Sequence, residues 1–133
     1  MKVIEIEGIG PAYAGKLEAA GISSTDDLLA KGASRKGREE LAAASGSSEA
    51  RILQWVNHVD LMRLDGVGSE YSDLLEAAGV DSCAELARRN IANLHAGLTA
   101  ANDEKKLVRQ LPSETMVGRW IEQAKTLDKV VTH

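Results

Sequence analysis

Residues 8–22 read GIGPAYAGKLEAAGI and residues 66–80 read GVGSEYSDLLEAAGV. In a chain of 133 residues, a pattern that returns at an offset of 58 constrains most of what the chain can fold into. At that offset Gly8/Gly66, Gly10/Gly68, Tyr13/Tyr71, Leu17/Leu75, Glu18/Glu76, Ala19/Ala77, Ala20/Ala78, Gly21/Gly79 and Leu28/Leu86 are identical. The match resumes where Ser48-Glu49 and Trp55-Val56 answer Ser113-Glu114 and Trp120-Ile121, now 65 apart, so the second copy carries seven extra residues in its middle. The reading is of one supersecondary unit written twice, over residues 1–63 and 64–133.

Each copy reads as short helices with explicit punctuation. Pro11 suits a first helical position, where a missing N–H costs nothing, and Gly21 suits the left-handed residue that stops a helix. These signals predict a helix over 11–20 and its counterpart over 69–78, closed by Gly79. Ser24 with Asp27, and Ser82 with Glu85, have the spacing at which a hydroxyl and an acid satisfy free backbone N–H groups reciprocally, so a second helix starts at each. Ser34 opens a third helix ending near Gly46, and Asn90 opens its enlarged equivalent running toward Val108. The fourth helices are the most amphipathic, with stripes Ile52, Trp55, Val56, Val59, Met62 and Val117, Trp120, Ile121, Ala124, Leu127. No segment alternates with period two for long enough to be a strand. The expected fold is all-α: two tandem repeats of about four helices each, packed as one pseudo-two-fold body. The first repeat has only MKVIEIE ahead of its glycine turn, too little for a full helix. The stripe of residues 113–127 is expected to close against it.

Composition removes several functional classes. The chain is 44% apolar, enough for one core or two small ones. With 16 bases and 20 acids the formal charge is −4, so no broad basic field exists and any anion site is local. One cysteine, Cys83, allows neither an intramolecular disulfide nor a cysteine-based zinc cluster. No apolar run approaches the length of a signal peptide or a membrane span. The expectation is a soluble cytoplasmic chain with no membrane partner.

A turn of the form Gly-aliphatic-Gly leading into a helix is the helix-hairpin-helix signature. The first glycine takes dihedrals closed to other residues, the aliphatic residue (Ile9 or Val67) plugs the gap between helices, and the second glycine lets a backbone approach. The turn leaves two or three N–H groups at the start of the next helix aimed outward, where the helix dipole favours negative charge. A phosphate fits there. The same glycines serve equally well as a tight helix connection with no ligand.

The stretches IEGIGPAYAGKLEAAGISSTDDLL, LMRLDGVGSEYSDLLEAAGVDSCAELARRNIANL and LPSETMVGRWIEQAKTL together resemble the bacterial domain-of-unknown-function family 4332, over about residues 4–127. That resemblance implies a tandem helix-hairpin-helix fold and assigns no biochemical role. The hairpins are also similar to those of DNA repair and recombination proteins, which grip DNA backbones without reading sequence. This chain departs from that second pattern. Such hairpins place Lys, Arg or Thr just after the second glycine, whereas Pro11-Ala12 and Ser69-Glu70 stand here.

Lys16 is the only base in the first hairpin's helix. Lys31-Gly-Ala-Ser-Arg35-Lys36-Gly-Arg38 holds four bases and no acid in eight residues, which reads as a basic patch or a solvated helix start. Arg88-Arg89 and Lys105-Lys106-Arg109 are smaller groups of the same kind. His58, His95 and His133 have no metal spacing, no Gly-Lys-Ser/Thr phosphate loop is present, and no catalytic constellation appears. Cys83 and both tryptophans read as core, and four aromatics are too few for a single-strand stacking surface.

The expectation is therefore a non-enzymatic module with no catalytic residue, metal or cofactor, and no small-molecule substrate. It touches a DNA or RNA backbone weakly and without sequence preference, through Gly8, Ile9, Gly10, Ala12, Lys16, Lys31, Arg35, Lys36 and Arg38. A protein-interaction adaptor or small structural subunit is the alternative. The second hairpin, Gly66, Val67, Gly68, Glu70 and Asp73, is expected to be structural or partner-facing. Glu70 and Asp73 lie near its helix start, where each repels a phosphate by about 0.7 kcal/mol at ~6 Å in water. Repeat one has eight bases and nine acids, net −1, and repeat two has eight and eleven, net −3.

Overall fold

The structure, a computed structural model, describes residues 1–6 and 8–132. Among them are eight α-helices, one 3-10 turn and no strand. The chain divides into two compact units: Met1–Asp60 together with the residues from Val130 on, and Leu61–Lys129. The boundary falls in the last turn of the fourth helix.

The first unit opens with a 3-10 turn, Val3–Glu5, whose Val3 and the following Ile6 are buried. Backbone bonds from Val3 N to Ser23 O (3.1 Å) and from Thr25 N to Met1 O (2.8 Å) hold these residues beside the 23–25 loop. Helix α1 (Pro11–Ala19) follows an extended Gly10, with Pro11 at its start, and Gly21 at φ 88° turns the chain out of it. Helix α2 (Thr25–Gly32) carries the expected reciprocal cap: Asp27 N donates to Ser24 Oγ (3.1 Å), and Ser24 N donates to Asp27 Oδ2 (3.2 Å). Ser34 caps α3 (Arg35–Ser45), which ends on left-handed Gly46 at φ 72°. Helix α4 (Glu49–Leu61) sends Ile52, Trp55, Val56 and Val59 into the same core as Val3, Ile6, Leu17, Leu28 and Leu41. Met62, which the stripe includes, lies past the end of α4 and is only half-buried.

The second unit repeats this order. Helices α5 (Ser69–Ala77), α6 (Cys83–Leu86), α7 (Ile91–Lys105) and α8 (Glu114–Thr126) begin after Gly68, Ser82, Asn90 and Ser113. Helix α6 is a single turn, and α7 stops at Lys105 rather than continuing to Val108. Lys106 takes the left-handed conformation at φ 54°, and the Asn102 side chain then binds both N–H and C=O of Val108 (3.0 and 3.2 Å), folding the extra residues back. Val117, Trp120, Ile121 and Ala124 of α8 lie in this unit's own core with Leu61, Leu64, Leu74, Leu75, Leu94 and Leu98.

The expectation that the 113–127 stripe closes the first repeat is therefore corrected. The first unit's core instead takes Val3 of the 3-10 turn, Ile6, and Val131 from residues 130–132. Periodicity could place the stripe on one helix face. It could not say which apolar surface that face would meet.

Two glycines set how closely α2 meets its neighbours in the first unit, Gly37 against α3 and Gly32 against α4. A Cβ on Gly37 would fall 1.7 Å from the Lys31 carbonyl oxygen, and one on Gly32 would fall 2.4 Å from Val56 Cγ2. Gly15, exposed within α1, has nothing within 4 Å of its would-be Cβ. Gly37→Ala is expected to cost about 1–3 kcal/mol by overpacking, whereas Gly15→Ala is expected to stabilise by roughly 0.5–1 kcal/mol. Urea unfolding of both variants checks the opposite signs.

Four backbone and side-chain donors of Ser23 and Ser24 surround the Asp27 carboxylate, and they hold its pKa below the ordinary 3.8. A depressed folded value means the cap contributes fully above 3.8 and is lost as pH falls through that lower value. Thermal melts of Asp27→Asn against the parent chain should differ at neutral pH and converge in acid below that value.

Candidate anion-facing site

The first hairpin is built by Ile6, Gly8, Ile9 and Gly10. Ile9 N donates to Ile6 O at 3.1 Å, Gly8 takes φ 91°, and Ile9 is buried as the plug while Gly8 and Gly10 stay exposed. Pro11 has no N–H, and the first capping bond of α1 runs from Ala14 N to Gly10 O (2.9 Å). The Ala12 and Tyr13 N–H groups therefore precede the helical ladder, as the first N–H groups of any helix do. Ala12 is exposed and no acid stands in this first turn. The second hairpin uses the same bonds, with Val67 N to Leu64 O at 3.2 Å, Gly66 at φ 82°, and Val67 buried. Its first turn carries Glu70, exposed. Asp73 lies one turn further on and is half-buried.

Each hairpin helix is fastened by a tyrosine on a tryptophan. The Tyr13 and Trp55 rings lie 5.3 Å apart at 64°, and the Tyr71 and Trp120 rings lie 5.3 Å apart at 54°. What surrounds the two tyrosines differs. Lys16 Nζ sits 5.5 Å from the Tyr13 ring centre, and the Arg51 guanidinium sits 4.9 Å from it while hydrogen-bonding the phenol oxygen. Neither cation has a carboxylate partner among the described residues. At the matching positions of the second unit stand Leu74, 1% exposed, and Met116. There the Tyr71 hydroxyl instead donates to Gln110 O (3.1 Å), within the extra residues, and Leu107, Val108 and Leu111 pack on the core beside it.

The stretch 31–38 is a packed corner more than a patch. Arg38 is 4% exposed: its Nη1 donates to the carbonyls of Gly32 (2.9 Å) and Ala33 (3.0 Å), and its Nη2 to that of Thr132 (2.6 Å). This removes Arg38 from the anion-facing set, because its hydrogen-bonding edge is turned to the carbonyls that end α2. Lys31 is paired with Glu40, whose pKa that ammonium holds down, and Arg35 lies 3.5 Å from Glu39 on an exposed helix face. Lys36 is exposed. Surface pairs of this kind are weak and exchange readily with a polyanion, so Lys31, Arg35 and Lys36 remain on the surface and Arg38 does not.

Of the smaller basic groups, Arg89 binds Ala78 O (3.1 Å) and lies 3.5 Å from Glu85. Cys83 is buried, His58 is buried on α4, and His95 meets Pro112 O at 3.0 Å. His133 lies outside the described residues. Sequence reasoning missed Arg51. The signal was present: aligning α4 with α8 sets Arg51 against Met116, just as aligning α1 with α5 sets Lys16 against Leu74.

A family defined only as a domain of unknown function, DUF4332, matches residues 7–127. The chain belongs to that family. No curated protein and no solved structure matches the chain. No helix among the described residues is long and apolar enough to cross a membrane.

The ring pair gives the family member a testable internal difference. Tyr13→Phe removes the phenol that Arg51 binds but keeps the ring on Trp55, and should leave stability within about 1.5 kcal/mol. Tyr13→Ala should cost about 3–5 kcal/mol if the ring is the fastening that its contacts indicate. Chemical denaturation of the two variants checks this.

Proposed function

We propose that this chain is a non-enzymatic, cytoplasmic module of two tandem helix-hairpin-helix repeats that holds a nucleic-acid backbone weakly and without sequence preference. The carrying observation is the pair of cations without acid partners among the described residues, Lys16 and Arg51, at Tyr13 beside the acid-free start of α1. Both are replaced by apolar residues in the second unit. In this reading the first hairpin's amides receive one phosphate oxygen, Lys16 and Arg51 neutralise that phosphate and its neighbour, and Lys36 adds a third contact.

The second hairpin is the structural or protein-facing copy. Glu70 offsets the α5 N-terminus itself and repels a phosphate, and the extra residues around Gln110 engage the tyrosine. The acidic balance of that repeat is what supports the adaptor alternative, in which a basic protein surface docks there.

Titration of labelled duplex, single-stranded and junction DNA at low salt tests the reading. With ~3 phosphates neutralised, the slope of log affinity against log salt should be about −3, and the Kd no tighter than ~10⁻⁵ M at physiological salt. Lys16→Glu and Arg51→Glu should each reduce the magnitude of the slope by about one, Gly10→Asp should abolish low-salt binding, and Glu70→Lys should strengthen it. A nanomolar complex, or binding that survives all three first-unit changes in chains with intact helical circular dichroism, would overturn the mechanism. The second outcome would favour the adaptor.

A further inference from the structure

Residues 130–132 follow the second unit in sequence yet belong to the first. Three bonds hold them there. Thr132 N donates to Ala33 O at 2.9 Å, the Thr132 hydroxyl donates to the same carbonyl at 3.2 Å, and Thr132 O accepts from Arg38 Nη2 at 2.6 Å. Val131, 2% exposed, joins the core that contains Leu28, Leu41 and Val56.

Arg38 explains why this attachment is specific. A guanidinium buried without a carboxylate is stable only when its N–H groups meet acceptors. The carbonyls of Gly32 and Ala33, at the negative end of α2, take Nη1, and the carbonyl of Thr132 takes Nη2. Within residues 1–60 no other backbone carbonyl takes that second nitrogen among the bonds described. The segment is thus held by three features: an aliphatic side chain, the backbone carbonyl of the next residue, and that residue's N–H with its hydroxyl.

We propose that the first unit contains a peptide-binding seat, formed by Arg38, the Ala33 carbonyl and the apolar slot of Val131, and that its occupant is the chain's own Val130–Thr132. Recognition is main-chain bonding with one side-chain anchor, the logic by which extended peptides add to a folded surface. Covalent linkage supplies the high effective concentration that so short a segment needs. Arg38 is the determinant: it is a positioning residue for the segment and takes no part in the anion contacts above.

The test uses the full chain carrying Val131→Asp, which unseats its own segment, with the free peptide Asp-Lys-Val-Val-Thr added at millimolar concentration. Amide exchange is read in both units. Without peptide, the amides of Leu28 and Leu41 should exchange about tenfold faster or more than in the parent chain, which is ~1.4 kcal/mol or more of lost protection, while those of Leu94 and Leu98 hold their rates. The peptide should restore the slow rates, and the same peptide with Asp in place of its second valine should not. Equal loss in both units, or no difference between the two peptides, overturns the proposal. Should the variant not fold, the parent chain still decides. There the Thr132 amide should be protected about tenfold or more over an open chain yet exchange faster than Leu41, and an unprotected Thr132 overturns the seat.

Discussion

A glycine held at φ 91° and another at 82° turn the chain so that the next residue, Ile9 or Val67, drops into the core and the following glycine starts a helix from an extended conformation. An L-residue at Gly8 or Gly66 would be strained there whatever the space around it. The consequences follow in order. The turn sets the direction of α1 and α5, the direction brings Tyr13 onto Trp55 and Tyr71 onto Trp120, and the ring contact sets which residues of α4 and α8 lie beside each hairpin. Arg51 reaches the phenol of Tyr13 because of that chain of placements, and Met116 occupies the corresponding helix position in the other unit. The turn is common to both units. The chemistry beside it is not.

Helix starts were legible because each is a local event. Ser24, Ser34, Ser82, Asn90 and Ser113 accept from the backbone N–H three residues on, and a sequence records that spacing directly. Gly21, Gly46 and Gly79 adopt the left-handed conformation their positions imply. Helix ends without such a residue were less legible: α7 ends at Lys105 because Lys106 takes the left-handed conformation without being glycine, and the bonds between Asn102 and Val108 depend on a fold-back that no local pattern announces.

The stretch 31–38 shows where composition misleads. Counting charge finds four bases and no acid, but the glycines at 32 and 37 are the stronger signal. One admits Val56 and the other admits the end of α2, and together they place Arg38 where its guanidinium meets carbonyls rather than water. A run of like charges interrupted by two glycines five apart in a helix-turn-helix corner is a packing motif before it is a surface. Arg51, by contrast, stands alone in sequence beside Glu49 and gave no sign in any count of charge. Set copy against copy, Arg51 falls opposite Met116 as Lys16 falls opposite Leu74, so the two units differ in charge beside the same glycine turn.

A net-acidic chain can offer cations to an anion only locally. At −4 overall, long-range attraction does not bring a polyanion in, and screening over ~8 Å at physiological salt leaves each cluster to act on its own. What counts is local pairing. Lys31 and Arg35 face Glu40 and Glu39, and Arg38 faces carbonyls, so three of the four bases in the densest run are already engaged. Lys16 and Arg51 rest on an aromatic face, which attracts a cation without neutralising it, and beyond the bond that Arg51 Nη1 gives the phenol no carboxylate among the described residues takes their N–H groups. A ring holding two cations in place lowers the ordering cost of binding for both at once. In the proposed reading it is therefore these two cations, rather than the stretch with twice their number of bases, that meet a phosphate.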